Sequence, residues 1–341
     1  MISLATSKIT DKVRENIQAV LNENRLGDGR FVKEFEKKVA HYVGAKHAIT
    51  TCNGSMADIV SLAVLKEQRP GKKEVIVPAL TFIAQPNSIL INGLTPVFVD
   101  IGTDYQINTA LIEEKITENT VAIFPVHLLG VLCNIFEIKR IAQKYNIFVV
   151  EDCCEAFGIY SNTDFGTYSF FPSHTITTGE GGMIVTNDDT HAEIARSIKN
   201  HGRKSDDILE KFHFNYLGYN GKMSNITAAI GCGVIDEADS VIEKRKNNVS
   251  LYNNFLEGTW FAESPHCYPY IYKSQEERDK ALLRLEKNGI EARKLFSCIP
   301  TVEYRIPGSY PVAQEIGEKG LFLPVHQELT EEDIKKIVFF L

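Results

Sequence analysis

Metal-type cysteine spacings, an excess of basic residues and membrane-length apolar runs are all missing from this chain. Each absence removes a class of function. Its seven cysteines are an odd number, with no Cys-x-Cys or Cys-x-x-Cys spacing among them. This suits a reducing compartment better than a disulfide framework. The adjacent Cys153 and Cys154 read as core thiols. Acidic residues outnumber basic ones by 44 to 37, for a net charge of −7. A nucleic-acid partner, which needs a basic face to neutralise phosphates, is therefore not expected. No apolar run reaches the roughly 20 residues needed to cross a bilayer. Residues 1–8, MISLATSK, lack the apolar core and cleavage site of a signal peptide. The expectation is a cytoplasmic protein without a membrane partner.

What is present is an ordinary globular composition, 44% hydrophobic over 341 residues, long enough for two domains. Short β-branched runs at 47–51, 74–77, 95–99, 121–125, 147–151 and 182–186 read as strands. Helical patterns at 56–66, 83–92, 108–115, 135–145 and 191–199 alternate with them. The runs are too continuous for half-exposed strands, so the pattern predicts an α/β domain with a mostly parallel sheet covered on both faces. A long helix is expected from 224 to about 255. Beyond it lie a strand near 266–272, a helix at 275–288 and a final helix capped by the Thr-Glu-Glu-Asp of 330–333. The boundary is placed near residue 240, giving a large domain over 1–240 and a small C-terminal α+β domain over 241–341.

Three segments carry chemistry. At 53–57 the sequence NGSMA stands between a strand and a helix. Gly54 lets the backbone approach an anion, Ser55 supplies a donor, and the helix start favours negative charge. Taken alone, this pattern is more often that of an ordinary N-cap. At 148–158, FVVEDCCEAFG is an apolar strand ending in carboxylates, of which Asp152 is placed to hold a ring nitrogen protonated or to cap a helix. At 169–182 stands SFFPSHTITTGEGG, with His174 at its centre.

The order of these segments resembles that of the pyridoxal phosphate (PLP) dependent DegT/DnrJ/EryC1/StrS family, of fold type I. The resemblance extends to GRFVKEFE at 29–36, PALTF at 78–82, PVFVD at 96–100, NHG at 200–202, GYNGKMS at 218–224, GIE at 289–291 and LPVH at 323–326. It implies an aspartate aminotransferase-like large domain with a mostly parallel seven-stranded sheet. It also implies that Gly54, Ser55 and Ser169 hold the cofactor phosphate, that Phe82 stacks on the pyridine ring, and that Asp152 pairs with the ring nitrogen with Glu155 nearby. Asn220 would reach the phosphate of a neighbouring subunit's cofactor, making a homodimer with composite sites.

At the position of His174 the family normally carries the lysine that holds PLP as a Schiff base. A histidine has no amine for that bond, but it remains a competent base near neutral pH. Within the family, histidine there resembles the branch of 3-dehydratases acting on nucleotide-linked 4-keto-6-deoxy sugars. The implied reaction removes the C3 hydroxyl, with pyridoxamine phosphate (PMP) as the working cofactor and His174 as the base. Members of that branch restore the amine either through an iron–sulfur cluster and a reductase or with L-glutamate. Cys232, Cys267 and Cys298 are too scattered for a cluster motif. No iron–sulfur cluster is expected, and L-glutamate is the expected co-substrate. The alternatives are an aminotransferase with an unusual base and a non-catalytic regulatory or binding protein of the same fold. Thr175 stands where better-known dehydratases have a second histidine, which leaves proton handling open. His127, Arg293 and Lys294 are further candidates for substrate contact or for ordinary structural and surface roles.

Overall fold

Strands that are apolar on both faces must be covered on both faces, and most of the seven strands of the main sheet are of this kind. In the computed structural model, which describes residues 1–341 apart from 206, 208 and 211, the seven are β1 (His47–Thr51), β2 (Glu74–Pro78), β3 (Thr95–Val99), β4 (Thr120–Ile123), β5 (Phe148–Asp152), β6 (Phe165–Ser169) and β7 (Gly182–Thr186). Their order is β1-β7-β6-β5-β4-β2-β3. β7 runs antiparallel to both of its neighbours, and the other pairings are parallel, so six strands point one way.

The helix Gly54–Gln68 is buried almost throughout its first eleven residues and packs across β6 and β7. Val60, Val64, Val77, Phe165 and Ile184 share its core. On the other face Ile138 and Ile141, from the helix Ile135–Tyr145, cover Ile76, Ile123 and Val149. The order of secondary structure and the mostly parallel sheet agree with the expected fold.

Two expected helices differ. The segment 108–115 forms two short 3-10 turns, Thr109–Leu111 and Glu113–Lys115, because the Asn108 side chain accepts a hydrogen bond from Ala110 and starts a tight turn instead of a helix. The long helix expected over 224–255 is interrupted. It consists of Asn225–Val234 and Ala238–Leu256, separated by the 3-10 turn Ile235–Glu237. The first piece is wedged against the N-terminal helices. A Cβ on Gly231 would fall 2.6 Å from Phe35, and one on Gly233 would fall 2.7 Å from Val13. That contact sets its direction, and the chain bends to continue along the molecule.

A second sheet, in the order β8-β10-β9, is built from β8 (Tyr268–Ile271), β9 (Arg293–Lys294) and β10 (Gly320–Leu323). Leu285, Ile334 and Ile337 pack with Leu321 and Leu323 in a separate core. The final helix, Glu331–Phe339, is closed by a capping box between Thr330 and Asp333. Among the described residues no helix is long and apolar enough to cross a membrane.

Candidate active site

Parallel strands deliver their carboxyl ends, and the loops after them, to one side of a sheet. Here β1 runs into the helix starting at Gly54, β2 leads to Phe82, β5 ends at Asp152 and β6 ends at Ser169. These ends enclose a cavity of about 610 Å³, whose lining includes Gly54, Ser55, Phe82, Asp152, Glu155, Ser169 and His174. Asn220 is outside this lining. It is exposed and bridges to Asn200, while the carbonyl of the next residue, Gly221, accepts from the Cys52 N–H at 2.8 Å.

One end of the cavity is suited to an anion. Asn53 caps the helix through its Oδ1, which accepts from the Met56 N–H at 2.8 Å. The amides of the first turn have no partner within a helix, and their dipoles favour negative charge. A Cβ on Gly54 would lie 2.7 Å from the Ser169 Cβ, so glycine is what lets the helix start approach the Ser169 hydroxyl. Ser55 is exposed beside it.

The opposite end collects carboxylates. Asp152 is only 6% exposed, and its Oδ1 accepts from the Cys154 N–H at 3.0 Å. Asp58, one turn along the helix from Gly54, is buried with an Oδ1 that has no hydrogen-bond partner. Burial pushes both carboxyls up, and for Asp58 the nearby Asp152 charge adds to the effect. An orphaned buried acceptor is costly, and a protonated pyridine nitrogen is a donor of the kind it lacks. Phe82 exposes an aromatic ring at the cavity side, 56% accessible and tilted against Phe296. Anion cradle, open aromatic face and a pair of buried carboxyls, one with an unsatisfied oxygen, together fit a pyridoxal-phosphate-type group.

His174 stands on the loop after β6, with its N–H donating to the Phe171 carbonyl at 3.0 Å. Desolvation by its surroundings, followed by the Arg245 charge, pushes its pKa down to about 3, so the imidazole is neutral. Its Nδ1 has no partner. Glu155 accepts from the Leu129 N–H at 2.7 Å, and burial pushes its carboxyl up to about 8.

Three residues of this neighbourhood escaped the sequence reading. Asp58 does leave a trace, an ionisable group within an otherwise buried, apolar helical run. His266 meets the cavity from the segment before β8, with its ring centroid 5.1 Å from that of His174. Arg245 is a buried guanidinium on the helix Ala238–Leu256 that donates to the His174 carbonyl at 3.0 Å. Nothing in the local sequence marks either as close to residue 174.

Of the other candidates, Arg293 and Lys294 line the cavity while paired with Glu291 at 2.9 Å and Asp279 at 3.1 Å. His127 does not reach it. That ring is fully buried, with Nε2 3.0 Å from Glu151 and Nδ1 accepting from the Cys133 N–H at 3.1 Å, a structural role.

Comparison with known proteins agrees with this geometry. Residues 7–341 match the DegT/DnrJ/EryC1/StrS aminotransferase family. The GDP-perosamine synthase of Caulobacter vibrioides is 35% identical over 99% of this chain and 96% of its own. Among solved structures, the Escherichia coli GDP-4-keto-6-deoxy-D-mannose-3-dehydratase with bound hydrated PLP superposes with a TM-score of 0.92. It is 27% identical, over 100% of this chain and 99% of that one. A GDP-4-keto-6-deoxymannose-3-dehydratase with a trapped PLP-glutamate geminal diamine gives a TM-score of 0.91 at 27% identity, covering 100% of both chains. The chain belongs to the DegT/DnrJ/EryC1/StrS family, and its fold is that of the type I PLP enzymes.

Proposed function

We propose that this protein is a PLP/PMP-dependent enzyme of nucleotide-sugar metabolism, and specifically a 3-dehydratase of a nucleotide-linked 4-keto-6-deoxyhexose. The observation that carries this reading is a cavity that gathers Gly54, Ser55, Phe82, Asp152 and Ser169 around His174 rather than around an unpaired lysine. Among the described residues the one lysine in the cavity lining is Lys294, ion-paired to Asp279 at 3.1 Å. His174 meets the cavity instead.

When bound, the cofactor supplies an electron sink for a carbanion beside its ring and an amine for the sugar ketone. Gly54, Ser55 and Ser169 would hold its phosphate. Asp152, with Asp58 behind it, would keep the ring nitrogen protonated, and Phe82 would cover one face. His174 lines the cavity and would be the group that takes a proton from carbon. Glutamate as the returning amine is supported by the related dehydratase with bound PLP and glutamate. Asn220, outside this chain's own cavity, is assigned to the site of a second copy in a homodimer.

A second reading, amine transfer to the same class of sugar, is favoured by the 35% identity to a GDP-perosamine synthase. The two are separated by incubating the protein with PMP, L-glutamate and a panel of GDP-, CDP- and dTDP-linked 4-keto-6-deoxyhexoses. Mass spectrometry of a dehydratase product finds one oxygen lost and no nitrogen gained. A product carrying nitrogen overturns the dehydratase reading in favour of the aminotransferase.

A further inference from the structure

Deoxygenation needs two proton movements, one off carbon and one onto the departing oxygen. A single imidazole can serve both in turn, or two can divide them. A second imidazole is present. We propose that His266, backed by Glu155, is the acid that protonates the leaving sugar hydroxyl, so that His174 acts as base alone. This inference rests on the dehydratase reading above.

The geometry brings these groups to one cavity and fixes them there. The His266 and His174 rings lie 5.1 Å apart between centroids at a 37° tilt, and both side chains line the cavity. The Nδ1 of His266 is buried without a hydrogen-bond partner, while its Nε2 is 3.7 Å from Oε1 of Glu155. That gap is wider than a hydrogen bond, and the relay requires the two side chains to close it.

The backbone of Leu129 ties the pair together. Its N–H donates to Glu155 at 2.7 Å and its carbonyl accepts from the His266 N–H at 3.2 Å. Leu129 adopts a left-handed φ of 63°, and the next residue, Gly130, could carry no side chain, since a Cβ would fall 1.9 Å from the Ser264 carbonyl oxygen. Arg245 clamps the two histidine segments, donating to the Pro265 carbonyl at 3.2 Å and the His174 carbonyl at 3.0 Å.

The titratable groups facing His266 are Glu155, His174 and Arg245. Burial, then the neighbouring His174 and Arg245, hold His266 well below the usual imidazole range, and burial keeps Glu155 protonated up to about 8. A neutral imidazole and a protonated carboxyl therefore meet the cavity side by side. In the step, the C3–O bond breaks and its electron pair leaves with oxygen. His266 gives up its Nδ1 proton, so that the group departs as water, while Nε2 takes the proton of Glu155. The electron pair is replaced by that of the C–H bond opened by His174, and the proton held there returns to Glu155 through solvent. No oxidant or reductant is required.

The test compares wild type, His266→Phe and Glu155→Gln, each loaded with PMP and given the accepted sugar nucleotide in heavy water. Deuterium uptake reports the base and oxygen loss reports the acid. His266→Phe is expected to lose oxygen removal about 100-fold more than it loses deuterium uptake, the scale of one general acid. Glu155→Gln, which can still accept from Leu129, should show the same split. In the protein without substrate, nitrogen-15 spectra should find the His266 proton on Nδ1. Equal loss of both readouts, undiminished oxygen removal by His266→Phe, or a proton on Nε2 overturns the assignment. If wild type itself transfers an amine and removes no oxygen, the dehydratase reading fails and the assignment falls with it, an outcome distinct from failure in the variants alone.

Discussion

A histidine beside a buried guanidinium is held neutral, and the same surroundings would act on any cation placed there. Burial and Arg245 push His174 down to about 3 and burial brings Arg245 itself down to about 10. A lysine substituted at this position would meet the same desolvation and the same charge, and would be held as a free amine, the nucleophilic form. His174→Lys is therefore expected to capture PLP covalently, seen as a new absorption band and, after borohydride reduction, as a mass adduct. Oxygen removal should fall by about 1,000-fold, the cost of losing a positioned base. An unchanged spectrum would mean that residue 174 does not face the cofactor's reactive carbon. Thr175, which takes the place of a second histidine in the sequence pattern, is buried beside His174. The second imidazole at the cavity, His266, comes instead from the segment before β8.

The site depends on how closely β7 lies against the start of the helix Gly54–Gln68. Gly182, the first residue of β7, would with a Cβ meet the Asn53 carbonyl oxygen at 2.2 Å, and backbone cannot rotate out of the way. Gly182→Ala should push the strand from the helix start, weakening PLP binding at least about tenfold and costing about 1–3 kcal/mol of stability, as overpacking does. Fluorescence titration and denaturant melts measure the two. Gly27→Ala, with nothing within 4 Å, serves as the control and should change neither. These elements also show what a sequence can reveal. β1, β2, β4, β5 and β7 were legible because apolar runs buried almost throughout repeat a simple pattern, and the edge strand β3 because its run is β-branched although its first residues reach the surface. β6, with Gly166, Thr167 and Ser169, carries no such run, and β9 is two exposed basic residues. The bend after Val234 comes from tertiary contacts at Gly231 and Gly233. Gly54, Ser55, Asp152, Ser169 and His174 stand in short motifs that are weak singly and are picked out by their order along the chain and the family resemblance. His266 and Arg245 join the site only through packing between distant segments.

The whole molecule carries its active site as a set of buried ionisable groups inside apolar cores, so folding and protonation are linked. Burial, followed by the charge of Asp152, raises Glu155 from 4.5 to about 8, a rise that the hydrogen bond from Leu129 only partly offsets. A carboxyl raised in the folded state contributes stability that is full below about pH 4.5 and is lost as pH rises through about 8. His174 has the opposite sign. Lowered from 6.5 to about 3, it contributes stability that is gained as pH rises through that window, in wild type and variant alike. The difference between wild type and Glu155→Gln therefore isolates the carboxyl. At pH 5 the two should have similar stability. By pH 8 wild type should have lost on the order of 3 kcal/mol relative to the glutamine variant, since each pH unit in which only the folded carboxyl holds its proton is worth about 1.4 kcal/mol. Urea denaturation at a series of pH values measures the gap. A gap constant with pH would mean that Glu155 ionises in the folded protein as it does in the unfolded chain. It would then have no proton to pass to His266 at neutral pH, and stability measurements alone would contradict the proposed acid.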